Sequence, residues 1–313
     1  MAYDANKKAR IKDLKSLGLR DKALIDALTA RTEVLSYASA GLHNSIFRGK
    51  NLGNAFTEAQ SAAIKAGTFD DLWLGDYWEI NGVRYRIAHI DYFYNTTFWK
   101  NEYPNLEWAT GETCKWRPHH VLIVPEPHLA YDYYNTEDTK NHTYYTSYFY
   151  TTLRPQLITN LENTFGAEHL MEWACFRNTA FDWSEPQNPR PTARVSEIGK
   201  CELIHSAQLL GYPAPKYAGK TYVFSSQSNR ELRGQFALFK AAPMFAGNPE
   251  HLTLDYNTQS GTISWWLQDT SHANNSTPDI VYPFVCFLAG EVAFVGGEYW
   301  TQTRPVRPFF CLS

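Results

Sequence analysis

The sequence predicts a mixed α+β fold from three observations. An Asn-Gly turn joins two alternating strands, a central helix carries one apolar face, and the last third consists of short strands and turns. The late strands must pair with the early ones to bury both, so helices and sheet belong to one mixed body. At 313 residues the chain can bury a sizeable core, as one large domain or two modest ones.

Between Ala5 and about Ala40, the residues Ile11, Leu14, Leu24, Ile25, Leu28, Val34 and Leu35 recur at three- and four-residue steps, broken at Gly18. This pattern predicts two short amphipathic helices. Helices so short are marginal alone and need partners from another copy or another protein. Thr57 and Gln60 have capping-box spacing and open a helix through Ala62, Ala63 and Ile64 that stops at Gly67. The period then switches to two. Trp78 and Ile80, then Asn81-Gly82, then Val83, Tyr85 and Ile87 predict a hairpin, because Asn-Gly supplies the positive φ angles of a type I′ turn.

Residues 120–124 read as a buried strand. Leu153, Leu157, Leu161 and Phe165 place one apolar face on a helix that has Pro155 in its first turn and ends near Gly166. Residues 183–192 are Pro-rich and predict a surface loop. Ile198, Cys201, His205 and Leu209 share a face if residues 195–210 form a further helix, which is the expectation. Beyond Lys220, strands are expected at 221–224, 236–239, 262–266, 281–287, 291–295 and 306–310. There is no internal repeat.

Charged residues make up 19% and aromatics 15%, a composition that folds and excludes global disorder. The first fifty residues carry ten Lys/Arg against five Asp/Glu; with a total of −3, the remainder stands at −8. A basic anchoring segment on an acidic body fits this asymmetry. Nucleic acid is not expected as a partner, since no Lys/Arg cluster with interleaved aromatics follows. The polar, charged stretch from Asp4 to Lys15 is not a signal peptide, and no apolar run reaches the ~18 residues of a membrane span. The expectation is synthesis and folding in a cytoplasm, without membrane insertion. Cys114, Cys175, Cys201, Cys286 and Cys311 are odd in number and widely spaced, as expected of buried free thiols.

Nothing in the sequence demands an enzyme. His119-His120 with His128 and Glu126 is the best metal-like cluster, yet adjacent histidines on a strand point to opposite faces, so one core and one surface histidine is expected. A Gly-x-Ser-x-Gly elbow and phosphate-binding glycine loops are absent, and Gly296-Gly297 reads as a turn. The carboxylates Asp182 with Glu185 and Asp70 with Asp71 look like solvated surface. The run Tyr131, Tyr133, Tyr134, Tyr144, Tyr145, Tyr148, Phe149 and Tyr150 suits packing or a subunit interface, with a glycan platform as the alternative. The sequons at Asn95, Asn141 and Asn275 carry no meaning without a secretory route.

Near the C-terminus, Ser264-Trp265-Trp266-Leu267 is followed some forty residues later by Arg304-Pro305-Val306-Arg307-Pro308-Phe309-Phe310. This ending resembles that of a domain in prophage proteins of Gram-positive gut bacteria, related in fold to C-type lectins and to the formylglycine-generating enzyme. The stretch from His43 to Gly53 (His-Asn-Ser-Ile-Phe-Arg-Gly-Lys-Asn-Leu-Gly) is similar to the opening segment of the same phage proteins. So are Phe69-Asp70-Asp71-Leu72 running into Gly75-Asp76-Tyr77-Trp78, and Phe165-Gly166-Ala167-Glu168-His169-Leu170. The resemblance runs in order from about His43 to the end.

It implies a phage structural or tail-associated protein located in the virion. Residues 1–55 would form a helical attachment and oligomerisation segment, and 56–313 a C-type-lectin-like domain with a display region at 264–310. In relatives diversified by retroelements, the variable positions lie between the Trp-Trp-Leu strand and the terminal Val-Arg-Pro strand. Carried over, that interval holds Gln268, Asp269, Ser271, His272, Asn274, Asn275, Tyr282, Phe284, Glu298, Tyr299, Trp300 and Gln302 as ligand-binding candidates.

Composition agrees with that choice. Residues 268–278 are Asn/Ser/Thr-rich and predict an exposed loop on a rigid scaffold, while Glu298, Tyr299 and Trp300 have a hot-spot composition. Tyr299 and Trp300 could equally fill the core or a trimer contact, and Trp265, Val306, Arg307 and Phe309 are expected to be structural.

Calcium is not expected, because only Glu126-Pro127-His128 and Glu185-Pro186-Gln187 approach the lectin motif. Copper is not expected, because nothing pairs Cys286 with Cys311. Neither a catalytic residue nor a cofactor is expected. The leading function is binding of a host surface glycan or protein by a homotrimer attached to other virion proteins. The alternative is a capsid decoration or tail scaffold that binds only virion subunits.

Overall fold

A computed structural model describes residues 39–94, 118–136, 144, 147–182, 190–205, 208–209, 234–242, 264–272, 281–287, 292–294 and 303–313. The helices expected between Ala5 and Ala40 fall almost wholly outside the described residues, as does the strand expected at 221–224.

The body begins with α1 (Ser39–Ser45) and α2 (Glu58–Lys65). The capping box of α2 forms: the Thr57 hydroxyl accepts the Gln60 N–H at 3.3 Å and the Gln60 side chain accepts the Thr57 N–H at 3.0 Å. Gly67 ends the turn at φ +68. Strands β1 (Tyr77–Ile80) and β2 (Val83–Ile90) then pair across Asn81 and Gly82, whose φ angles of 51 and 79 are those of a type I′ turn.

β2 pairs with β3 (Val121–Glu126), and β3 pairs with the C-terminal strand β12 (Pro308–Leu312), giving the antiparallel order β1-β2-β3-β12-β7 with β7 at Cys201–Leu203. Both faces of this sheet are covered. Val121, Ile123, Phe310 and Leu312 enter one core, and their neighbours Leu122, Val124, Phe309 and Cys311 enter another. Burial on two sides explains why these strands read as continuous apolar runs.

The first core is closed by α2 and α3 (Arg154–Phe165), whose Leu157, Leu161 and Phe165 are buried together with Leu153. Pro155 lies in its first turn and Gly166 caps it at φ +90. The second core is closed by the short α4 (Ala237–Ala241), by Trp173, and by Trp265 and Leu267 of β8 (Ser264–His272). The remaining strands form smaller sheets: β5 (Trp173–Asp182) with β6 (Arg190–Gly199), β4 (Ala130–Tyr133) with β11 (Thr303–Val306), and β8 with β9 (Val281–Phe287) and β10 (Val292–Phe294). Helices and antiparallel sheet together make a mixed α+β body.

Three expectations are corrected. Residues 195–199 and 201–203 are strand, not helix, because residues 190–199 pair with β5 and Cys201–Leu203 joins the main sheet beside β12. Arg190, Pro191 and Thr192, expected in a loop, begin β6. Residues 237–239 are helical rather than strand: Leu238 and Phe239 pack with Phe236 on the second core, and the Ala237 N–H donates to the His89 side chain of β2 instead of to a strand carbonyl.

Asp76 is fully buried and ties the chain's opening stretch to the sheet. It accepts Arg48 Nε at 3.0 Å and Arg48 Nη2 at 2.6 Å, the Lys50 N–H at 2.9 Å and the Trp73 N–H at 2.8 Å. Cys201 and Cys311 are buried free thiols, as expected, and burial pushes both thiols upward into an inert range. The side chains of Cys114, Cys175 and Cys286 lie outside the described residues.

Candidate functional site

The C-terminal interval is bracketed by buried strands. Trp265, Trp266 and Leu267 are buried at its start, and Val306 through Leu312 at its end. Trp266 donates from Nε1 to the Asp132 carbonyl at 3.1 Å, and the Arg304 guanidinium lies 5.4 Å from its ring centroid. Val306 accepts the Leu129 N–H at 3.0 Å. These contacts join β8 and β11 to β4, so the two ends of the interval meet on one scaffold.

Gln268 departs from expectation. It is fully buried, and its backbone N–H donates to the Ile204 carbonyl at 3.0 Å, which binds β8 beside the end of β7. The polar composition of 268–278 predicts an exposed loop, yet β8 continues to His272 because residues 270–272 find partners in Pro283, Tyr282 and Val281 of β9. The first ligand candidate is therefore part of the frame.

Asp269, Ser271 and His272 lie on β8, and Tyr282 and Phe284 on β9, with Ser271 directly opposite Tyr282 and Phe284 opposite Phe294. The pairing slips between Trp266 and Thr270, so Asp269 sits in an irregular stretch. Asn274, Asn275, Glu298, Tyr299, Trp300 and Gln302 lie outside the described residues. Trp265, Val306, Arg307 and Phe309 are all buried, as expected of structural positions.

The tyrosine-rich run divides. Tyr134, Tyr144 and Phe149 are buried in the first core, where the Tyr144 hydroxyl donates to Glu202 at 2.7 Å and accepts the Leu203 N–H. Tyr131 and Tyr133 remain 53% and 36% exposed on β4, opposite Pro305 and Thr303 of β11. Among the described residues, Ile46 and Phe47 are the other large exposed apolar side chains. The two-residue spacing of Tyr131 and Tyr133 was the available signal for a shared outward face; the density of tyrosines after them obscured it.

The histidine pair is held by Asp91. His119 Nδ1 lies 2.7 Å from Asp91 Oδ2, and the His120 N–H donates to Asp91 Oδ1 at 2.9 Å. His120 is buried and neutral in its bonding, with Nδ1 on the Pro118 carbonyl and Nε2 accepting the Phe93 N–H, whereas His119 stays partly exposed against Tyr94. Burial pushes the Asp91 carboxyl upward, against the opposing pull of both histidines. Among the described residues no group of three or more His, Cys, Asp or Glu side chains could hold a metal ion. No described helix is long and apolar enough to cross a membrane.

Compared with protein-family models, with curated proteins and with solved structures, the chain gives no significant match.

Proposed function

We propose that the chain is a bacteriophage virion protein. In this reading residues 1–55 attach it to other virion proteins, and a C-type-lectin-like body at 56–313 binds a host-cell surface glycan or protein through its C-terminal face. The observation that carries the reading is the exposed pair Tyr131 and Tyr133, in register with Pro305 and Thr303. Thr303 opens the strand on which the chain returns from Gln302 to the buried sheet, so the pair adjoins one end of the candidate interval. Tyrosine offers a rigid apolar ring and a hydroxyl at low entropic cost, which suits recognition of a sugar or a protein surface.

The buried ends of the interval support the reading further, because recognition residues concentrate on loops held by a rigid scaffold. The ordered motif resemblance from His43 to Phe310 supplies the phage assignment. Shallow contacts gain strength from several copies, so the binding form is a homo-oligomer, a trimer in this proposal. The reading needs no catalytic group or cofactor.

The test is adsorption. Purified full-length protein is expected to bind host cells saturably and, in excess, to block adsorption of the phage. A protein that stays monomeric and ignores both host cells and surface glycans overturns the reading. Substitutions at Asn274, Tyr299 and Trp300 that leave adsorption unchanged but abolish particle assembly assign the chain to the virion scaffold instead.

A further inference from the structure

The outward face of β4 is small, firmly held and, on its own strands, uncharged. Tyr131 and Tyr133 alternate onto it about 7 Å apart, opposite Pro305 and Thr303 of β11. Neither tyrosine hydroxyl is engaged among the described residues. The His128 ring, 6.3 Å from that of Tyr131, borders the patch. The charged residues of the two strands, Asp132 and Arg304, stand opposite each other on the other face. Asp132 accepts the Tyr133 N–H at 2.8 Å, and the Arg304 guanidinium lies over the Trp266 ring. Trp266 Nε1 bonds the Asp132 carbonyl and the Leu129 N–H bonds that of Val306, so the two rings stand on a backbone already fixed before binding.

Area and charge name the occupant. At 53% and 36% exposure the two rings offer roughly 200 Å² of surface, whereas a stable protein interface takes about 800 Å² from each partner. The patch is sized for a pair of sugar rings rather than a protein epitope. A pyranose has an apolar C–H face that stacks on a tyrosine ring and a rim of hydroxyls that bond tyrosine hydroxyls. A glycan bearing phosphate or carboxylate needs a cationic partner, and the one Arg on these strands faces Trp266 on the other side.

We infer that this face takes a neutral hexose polymer, with sugar rings stacked on Tyr131 and Tyr133. The assignment rests on the host-binding reading above and narrows its ligand from glycan or protein to uncharged glycan.

The test is binding of the full-length protein to intact host cells, to protease-treated cells and to cells oxidised with periodate, which cleaves vicinal diols of sugars. Host wall polysaccharide, separated by anion exchange into neutral and anionic pools, serves as competitor. Binding is expected to survive protease, to fall at least about tenfold after periodate and to be displaced by the neutral pool. It is expected to change less than about twofold on raising salt to about 0.5 M, because no ion pair is formed. Tyr131→Ser with Tyr133→Ser is expected to weaken binding of the neutral pool at least about tenfold. Tyr131→Phe with Tyr133→Phe keeps both rings and is expected to bind more tightly than the serine pair. Thermal unfolding of each variant shows that its body is folded. Displacement by the anionic pool alone, or binding that survives periodate and is lost to protease, overturns the neutral-glycan assignment and leaves host binding standing. A serine pair that binds the neutral pool like the wild type, or serine and phenylalanine pairs with equal losses, also overturns it. A protein that binds no intact host cell overturns the host-binding reading and this assignment with it.

Discussion

Arg86 and Glu126 meet across β2 and β3 in a two-point ion pair, Nε to Oε1 at 2.8 Å and Nη2 to Oε2 at 2.7 Å, with both side chains buried. Arg307, which precedes β12, places its Nη2 3.9 Å from the same carboxylate and donates from Nε to the Pro125 carbonyl at 3.0 Å. One carboxylate therefore balances two buried guanidinium groups and ties the C-terminal strand to the hairpin.

Glu126→Gln removes the carboxylate that both guanidinium groups face. Breaking a buried pair from one side is expected to cost about 3–5 kcal/mol, read as a lower urea midpoint. Arg86→Met combined with Glu126→Leu removes charge from both sides, and Arg307 keeps its carbonyl. The double variant is expected to be more stable than Glu126→Gln; an equal or greater loss contradicts the account.

Two glycines separate conformational strain from steric overlap. Gly82 sits at φ +79 with nothing near an added Cβ, so Gly82→Ala is expected to cost about 1–2 kcal/mol from its backbone conformation alone. Gly75 sits at φ +83, and an added Cβ would overlap the Phe47 ring. Its backbone cannot yield easily, because its N–H bonds Ile87 and its carbonyl accepts Arg86. Gly75→Ala is expected to lose a further 1–3 kcal/mol or so, visible as a lower melting midpoint than Gly82→Ala.

Elements whose cause is local were legible in the sequence. The Asn81-Gly82 turn, the Thr57–Gln60 capping box and the four-residue spacing from Leu153 to Phe165 each need only neighbouring residues. Elements fixed by distant partners were not. Cys201 shows helical spacing with Ile198 and His205, yet it lies on β7, where Glu202 is held by Arg154 at 2.8 Å and by Tyr144 from far along the chain. Gln268 follows the same rule. Its polar neighbours predict a loop, and only the Ile204 carbonyl and the pairing with β9 make it buried strand. Of the candidate face, the framing strands were legible, whereas the exposure of Tyr131 and Tyr133 depends on their pairing with β11.

His89 gives the fold a pH dependence. Its Nδ1 accepts the Ala237 N–H at 3.0 Å, which requires that nitrogen to be unprotonated, and burial lowers its pKa to about 4. The unfolded chain, with an ordinary histidine near 6.5, takes up the proton first as pH falls. Stability tied to His89 is therefore complete above about 6.5 and declines as pH falls toward 4. The full loss is at most about 3 kcal/mol, because the ring retains some contact with water. His89→Asn keeps an acceptor and removes the titration. Its urea midpoint is expected to vary less than the wild type's between pH 7 and pH 4.5; equal slopes would exonerate His89.

Tyr131, Tyr133 and Gln268 separate the proposed display surface from its frame. Replacing Tyr131 and Tyr133 with Ser alters exposed ring surface, so unfolding is expected to shift by no more than about 0.5 kcal/mol per site. Host-cell binding is expected to fall at least tenfold, or about 1.4 kcal/mol, if these rings contact the receptor. Gln268→Ala reverses the pattern: it opens space in a filled interior and is expected to cost about 1–3 kcal/mol of stability. Because its side chain is buried, cell binding measured well below the melting transition is expected to change less than twofold. Paired titrations of cell binding and thermal unfolding on the two variants check both statements. A Tyr131/Tyr133 variant that binds cells like the wild type removes β4 from the receptor surface, and a Gln268→Ala protein with wild-type melting and lost binding returns that residue to it.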